Sequence, residues 1–175
     1  MELTGKRVLD ESGAEIAEAA LVLPIAFMFL LGIVWFGRAF NVYSTITQAA
    51  QHGAITAARR TCATCGNSTS DADVQYAIAG VMQASNLDLS QIQASPTLPS
   101  LASQCPSAPA PSCTVTSSNV AICRSVVLNP SGATDPPQCG AVVTFRYPFQ
   151  FYLPFTSLNM QQIMLTASSQ SRMEN

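Results

Sequence analysis

An uncharged apolar run from Ala19 to Gly37 constrains this chain more than any other feature. It reads AALVLPIAFMFLLGIVWFG, and as a helix it would be about 28 Å long, close to the hydrocarbon thickness of a bilayer. Trp35 lies near its far end, where aromatic rings favour the membrane interface, and Arg38 closes it. The run therefore predicts one transmembrane helix, bent near Ala20 by Pro24.

Two alternatives to a permanent span stay open. One is a buried helix of a soluble protein, although so long an uncharged run is unusual in such helices. The other is a removable secretory signal, because Lys6 and Arg7 precede the run. The apolar part of such a signal is only about 7–15 residues long and ends in small residues, whereas this run ends in Trp35-Phe36-Gly37-Arg38. We therefore favour a span that stays attached.

Length and charge limit the kind of domain that the rest of the chain can form. The chain has 175 residues, which is enough for the span and one domain of roughly 100 residues. Only 10% of the residues are charged and the formal net charge is −2, so we expect no nucleic-acid partner, which usually needs a basic face. Hydrophobic residues make up 48%, too many for a chain that is disordered throughout.

All the cysteines lie after the apolar run: Cys62, Cys65, Cys105, Cys113, Cys123 and Cys139. An even number on one side of a span predicts an oxidising compartment and up to three disulfides, whose pairing the sequence does not choose. Lys6 and Arg7 favour a cytoplasmic N-terminus, while Arg38, Arg59 and Arg60 on the other flank oppose it. The cysteines decide the orientation, with the C-terminal part outside the cytoplasm.

Cys62-Ala63-Thr64-Cys65 is the most chemically suggestive short motif. We favour a structural disulfide that closes a small loop. A redox-active pair and half of a zinc site are the alternatives, but the first normally needs a βαβ setting and the second a further close pair of cysteines. His52 is the only histidine, and a lone helical histidine is more often a surface or packing residue than a ligand.

A carboxylate stands where the membrane would begin. Glu18 directly precedes the apolar run, and an ionisable group inside a membrane costs several kcal/mol unless it has a partner or lies near water. Taken alone, Glu18 would simply face the headgroups. Its context is more specific, because Gly13 lies five residues before it and the small Ala14 comes directly after that glycine.

The run GAEIAEAALVLPIAFMFLLGIVWFGRAF resembles the N-terminus of the TadE-like family of pilus-assembly proteins. In that family a glycine, four residues and a glutamate precede an apolar helix that opens with LVLP. Here these positions are Gly13, Glu18 and Leu21-Val22-Leu23-Pro24, although Ala19 stands where the family usually has an aromatic residue. The similarity continues in 48–54, and near the end of the chain in 165–168 and 172–174.

The resemblance implies a minor pilin or pseudopilin of a tight-adherence pilus, anchored in the cytoplasmic (inner) membrane and possessing no enzymatic activity. A prepilin peptidase would cut between Gly13 and Ala14, which makes Glu18 the fifth residue of the mature chain. The freed amine of Ala14 could then pair with Glu18 and set the helix register. The implied partners are membrane lipid, other pilin or pseudopilin subunits, the assembly machinery and the peptidase. We expect no catalytic residue, no cofactor and no metal.

The expected fold class is α+β, with a cytoplasmic leader at 1–13, a helix at 14–60 that includes the span 19–37, and a head at 61–175. A stripe of Val42, Ile46, Ala49, Gly53 and Ala57 predicts that the second half of the helix packs closely on another element. Two helices broken near Asn41 are an equal alternative to one continuous helix. A Pro/Ser/Ala-rich stretch at 95–112 predicts a loop.

Within the head, Ser70-Asp71-Ala72-Asp73 predicts the start of a second helix that ends near Asn86. Strands are expected at 114–116, 120–128, 143–153 and 163–167, with a turn at 129–132. The third is an aromatic strand whose alternating apolar residues predict one buried face: Val143, Phe145, Tyr147, Phe149, Phe151 and Leu153. Pro148 should place its strand at a sheet edge or break it. This pattern predicts a small antiparallel sheet against a helix, the pilin-like arrangement.

Two other functions remain as alternatives to the structural subunit. A membrane-tethered thiol-disulfide protein would use Cys62 and Cys65. An envelope adhesin would bind a surface ligand through its head, with the aromatic strand exposed.

Overall fold

The computed structural model describes residues 8–59, 69–95, 105, 110–129, 136–150 and 162–173. It divides into two compact units, Met1–Phe40 and Asn41–Asn175. The helices are α1 (Val8–Ala58) and α2 (Asp71–Ala84), with a single 3-10 turn at Leu89–Gln91. The strands are β1 (Ser112–Val115), β2 (Ala121–Val127), β3 (Cys139–Gln150) and β4 (Gln162–Arg172). The α+β prediction is confirmed.

The first helix is one uninterrupted element of 51 residues that passes through both Pro24 and Asn41. Of the two alternatives, the structure therefore has the continuous helix and not a break near Asn41. It begins at Val8, whereas the expected start was Ala14, so Gly13 lies within the helix, where glycine costs about 1 kcal/mol relative to alanine. It ends at Ala58, two residues before the expected end.

The second helix has well-formed caps at both ends. Ser70 is the N-cap: its Oγ accepts a hydrogen bond from the amide of Asp73, whose carboxylate accepts one from the amide of Ser70. At the other end Asn86 adopts a left-handed φ of 55°, and the amide of Leu87 reaches back to the carbonyl of Met82 at 2.9 Å. The predicted helix is confirmed, including its capping start.

The four strands form one antiparallel sheet in the order β1-β2-β3-β4. The longest pairing runs from Gly140 opposite Arg172 to Gln150 opposite Gln162. One face of β3 joins a core with Ile46 of α1 and Ile78 of α2, through Ala141, Val143, Phe145 and Tyr147. The core lies between the sheet on one side and α2 with the second half of α1 on the other.

The stripe predicted on α1 is the face that enters this core. Ile46, Ala49, Gly53 and Ala57 are buried, and Val42 is partly buried against the same cluster. A Cβ atom at Gly53 would come within 2.8 Å of Cγ1 of Ile78 and 3.5 Å of Cγ1 of Val143. Glycine at this position thus allows α1 to approach α2 and β3 closely.

Pro148 sits inside β3 without breaking it. Arg146 exchanges two backbone hydrogen bonds with Gln93, on the side of β3 that faces away from β4. Since backbone groups alternate with period two, Pro148 turns its nitrogen to that same side, beyond the last β2 pair at Thr144. The sequence prediction of an edge position therefore applies locally, although β3 as a whole is an inner strand.

A bulge in β2 changes which of its side chains lie on each face of the sheet. The pairing with β3 shifts between Cys123 and Val126, and Ser125 in between has a φ of 58°. Cys123 and Val126 consequently lie on the same face, away from the helices, in a small cluster with Val142. The sequence predicted a plain strand at 120–128 and had no signal for this bulge.

The last strand is longer than expected. The sequence predicted 163–167, whereas β4 extends to Arg172 and pairs with β3 over its full length. Its second half, Ser168-Ser169-Gln170-Ser171, is polar and has little β-propensity of its own, so the pairing with β3 determines its conformation. Most of the loop at 95–112, the turn beyond Asn129 and the strand end at 151–153 lie outside the described residues.

Candidate functional site

The candidate processing site lies near the start of α1. Gly13, Ala14, Glu15 and Glu18 are all exposed helical residues. A Cβ atom at Gly13 would meet no other heavy atom within 4 Å, so packing within this chain does not require glycine there. An exposed glycine weakens a helix by about 1 kcal/mol relative to alanine. Local structure therefore gives no reason for Gly13, which leaves room for a role in recognition by another protein.

Among the residues that the structure describes, none covers the apolar run. Its most apolar window is 0% buried, and α1 is long and apolar enough to cross a membrane. The large side chains along it expose about half to three-quarters of their surface, among them Leu21, Leu23, Phe27, Met28, Phe29, Leu30, Ile33 and Phe36. A core helix of a soluble protein buries such side chains, so this exposure is consistent with a helix that could span a membrane.

One face of this run has a shallow depression, here called the notch, at Gly32, which has no side chain. Ile25, Met28, Phe29, Ile33 and Phe36 surround the notch, at spacings of three and four residues that bring them together on a helix. Small residues between large ones let a second helix approach closely within a lipid environment. This face of α1 can therefore accept either lipid chains or another helix.

Trp35 and Arg38 mark the end of the run. The guanidinium carbon of Arg38 lies 5.5 Å from the centre of the Trp35 ring, within the range of a cation–π contact. Tryptophan and arginine are both favoured at the level of the headgroups, where one part of each side chain is apolar and another is hydrated. The pair fits the membrane boundary predicted at Gly37.

Four of the cysteines form two disulfides. Cys105 is bonded to Cys139 and Cys113 to Cys123, and the second bond joins directly opposite residues of β1 and β2. The prediction of disulfides is thus confirmed for these four. Cys62 and Cys65 lie outside the described residues, so neither the structural nor the redox interpretation of that motif is tested.

His52 lies on the exposed face of α1, and its carbonyl accepts a hydrogen bond from Oγ1 of Thr56. This placement agrees with its interpretation as a surface residue. Within the described ranges, no group of three metal-ligating side chains comes together.

Sequence reasoning missed a polar cluster that joins α2 to the sheet. Arg124 of β2 pairs with Asp71 at 2.5 Å and donates to the carbonyl of Thr69, while the hydroxyl of Thr114 also donates to Asp71. Partial burial acts to raise the pKa of Asp71, but the hydrogen bonds from Arg124 and Thr114 and the charge of Arg124 outweigh it and lower this pKa. The cluster tethers the start of α2 and is a structural device.

A second missed contact fixes the segment after α2. The amide of Asp88 donates to the hydroxyl of Tyr147 at 3.3 Å, and burial raises the pKa of that tyrosine. Both contacts join residues more than 50 positions apart, and pattern analysis of short windows has no signal for such pairs.

Residues 13–54 match the family model described as TadE-like protein. This segment is similar to the TadE-like family. The match covers about a quarter of the chain and begins at Gly13, the residue before the expected cleavage point. It includes the apolar run and the part of α1 that packs into the core as far as Ala54. No curated protein and no solved structure matches the chain.

Proposed function

We propose that this protein is a non-enzymatic, minor pilin-like subunit of a tight-adherence pilus assembly system, anchored in the cytoplasmic membrane by α1. The observation that carries the proposal is the TadE-like match at residues 13–54. This segment contains the exposed apolar run of α1. The two disulfides support a head outside the cytoplasm, because such bonds persist in oxidising compartments.

Processing by a prepilin peptidase is part of this proposal. The TadE-like match starts at Gly13, and the surroundings of Gly13 are open. Cleavage after Gly13 would leave Ala14 with a free amine one helical turn before Glu18, so the two groups could pair on one chain or between neighbouring subunits. Intact-mass spectrometry of the membrane-extracted protein should find Ala14 as the first residue. A mature chain that still begins with Met1 would contradict the cleavage.

The role of Glu18 can be tested with a matched control. Glu15 lies one turn earlier on the same helix and is also exposed. We expect Glu18→Ala to leave membrane insertion intact but to abolish co-purification with other pilus components, since only Glu18 stands at the start of the apolar run. Glu15→Ala should retain both properties. If both variants lost co-purification equally, negative charge anywhere near the start of the apolar run would be what matters, and Glu18 would have no special role.

The function itself is tested in the producing bacterium. Deletion of the gene should remove tight-adherence pili or surface attachment, and the wild-type chain supplied in trans should restore them. Normal piliation without the protein would overturn the proposed role in assembly.

A further inference from the structure

The outer edge of β4 is an unused hydrogen-bonding surface. Arg146 turns its backbone groups towards Gln93, so its partner position Thr166 is one at which β3 and β4 exchange no hydrogen bonds. The backbone groups of Thr166 therefore point away from β3, and the same holds at every second residue of β4. These outward positions are Gln162, Met164, Thr166, Ser168, Gln170 and Arg172.

Nothing in the part of the chain that the structure describes occupies this edge. β4 is the last strand in the sheet order, and none of the backbone hydrogen bonds outside the ladders involves an outward position of β4. A free strand edge is a template for pairing with another strand. Proteins usually protect such edges with proline, bulges, short length or charge.

β4 carries almost none of these protective features. It is 11 residues long, it pairs with β3 without a register shift, and it contains no proline. Arg172 at its end is its one charged residue. The edge is thus long, regular and nearly neutral, properties that permit pairing instead of preventing it.

We propose that this edge pairs with β4 of a second copy of the chain. The two strands would be antiparallel, and a two-fold axis would relate the two copies. The register that uses all the outward positions places Thr166 opposite Ser168 of the other copy, Met164 opposite Gln170, and Gln162 opposite Arg172. The arginine of each copy then meets a glutamine at the far end, so the pairing places no like charges opposite each other.

The same residues argue for a second copy in preference to a different partner strand. An isologous contact uses one surface twice, so a strand without charges between Gln162 and Ser171 is compatible with itself. A partner chosen by charge would need complementary charges on β4, and the strand offers only Arg172. This inference does not depend on the pilus role, because it concerns the sheet alone.

The experiment uses the full-length protein in native membranes. A photoreactive benzophenone amino acid is placed at Gln170, which faces Met164 of the other copy in the proposed register, and two differently tagged copies are produced together. Irradiation should join the tagged copies, and mass spectrometry should find the attachment near Met164. The same probe at Tyr76, an exposed residue of α2, serves as the control and should give no such product.

A proline variant tests whether backbone pairing is responsible. Thr166→Pro removes an outward amide without taking a hydrogen bond from β3, and because the contact is two-fold it acts twice. Cross-linking from position 170 should fall by about tenfold or more, because each copy loses one backbone hydrogen bond. Thr166→Ala keeps the amide and should leave the yield unchanged. Resistance of the head to limited proteolysis, equal to that of the wild type, shows in each variant that the head is still folded.

Three results would overturn the proposal. One is the absence of a chain-to-chain product from position 170, and another is a product that Thr166→Pro does not reduce while the head keeps its resistance to proteolysis. The third is a product with a different protein, which would mean that the edge is occupied but not by a second copy.

Discussion

The glycines of the two helices differ in how much space surrounds them. Gly53 faces Ile78 and Val143 in the core, whereas Gly13 and Gly80 have no heavy atom within 4 Å of a built Cβ. Glycine is unfavourable in a helix interior by about 1 kcal/mol relative to alanine. Close packing accounts for this cost at Gly53, whereas packing among the described residues does not account for it at Gly13.

Gly53→Ala should destabilise the head. The new methyl group would lie 2.8 Å from Cγ1 of Ile78, a fully buried side chain with little freedom to move. Overpacking of this kind costs about 1–3 kcal/mol, which exceeds the helix-propensity gain of about 1 kcal/mol. Thermal unfolding of the full chain in detergent measures the change. Gly80→Ala on α2 is the control and should be neutral or slightly stabilising, so equal effects of both changes would contradict this account.

The Asp71–Arg124 pair should make stability depend on pH in the acid range. The folded state lowers the Asp71 pKa below its ordinary value of 3.8, so the pair contributes fully above that value and its contribution is lost as the pH falls through the folded pKa. Asp71 is partly exposed, so solvent screening limits the expected cost of Asp71→Asn to about 1 kcal/mol at pH 7. Denaturant unfolding at pH 7 and pH 3 should show the variant and the wild type converging at the lower pH.

At the scale of elements, the two disulfides differ in the number of residues between their cysteines. Cys113–Cys123 links two neighbouring strands across 10 residues, while Cys105–Cys139 links residue 105 to the first residue of β3 across 34. A disulfide restricts the unfolded chain more when it closes a longer loop. The longer link should therefore contribute more to the stability of the head.

Paired Cys→Ser variants test this order. Loop-closure entropy assigns about 2.7 kcal/mol to the 10-residue separation and about 3.8 kcal/mol to the 34-residue separation. Removing Cys105 and Cys139 together should thus lower the free energy of unfolding by about 1 kcal/mol more than removing Cys113 and Cys123. Chemical denaturation of the two double variants in detergent gives the comparison. A larger loss for the Cys113–Cys123 variant would reverse the order and reject the entropic explanation.

At the scale of the whole molecule, the two units treat apolar side chains in opposite ways. The unit Asn41–Asn175 buries Ile46, Ile78 and Phe145 completely, whereas the unit Met1–Phe40 leaves Met28 and Phe29 more than 70% exposed. Water disfavours such exposure by roughly 25 cal/mol for each square ångström of apolar surface. The first unit is therefore suited to lipid or to partner helices, and the second unit contains a core of its own.

Membrane insertion should accordingly depend on the centre of the apolar run. Each lysine placed at the middle of a span costs about 3 kcal/mol on insertion scales, so Met28→Lys together with Phe29→Lys should shift the protein out of the alkali-resistant membrane fraction. Tyr76→Lys on the exposed face of α2 should leave fractionation unchanged. Wild-type protein that is soluble without detergent and lacks 19–37 would contradict the anchoring function of α1.

The sequence alone determined the features that depend on neighbours in the chain. The apolar run of α1 and the capping residues Ser70 and Asp73 of α2 act through local spacing, so the sequence is sufficient to predict them. The alternation of Val143, Phe145 and Tyr147 likewise predicted the buried face of β3. For the candidate site, the residues Gly13 and Glu18 were recognisable because the resemblance lies in one short contiguous segment.

Only the tertiary structure decided the features that join distant parts of the chain. The disulfide partners, the contact of Arg124 with Asp71 and the bulge at Ser125 each require the sheet to be assembled first. The length of β4 is similar, because its polar second half is a strand only by virtue of its partner β3. At these places, contacts between distant segments outweigh the local conformational propensity. A short stretch of sequence does not show which distant segment it will contact.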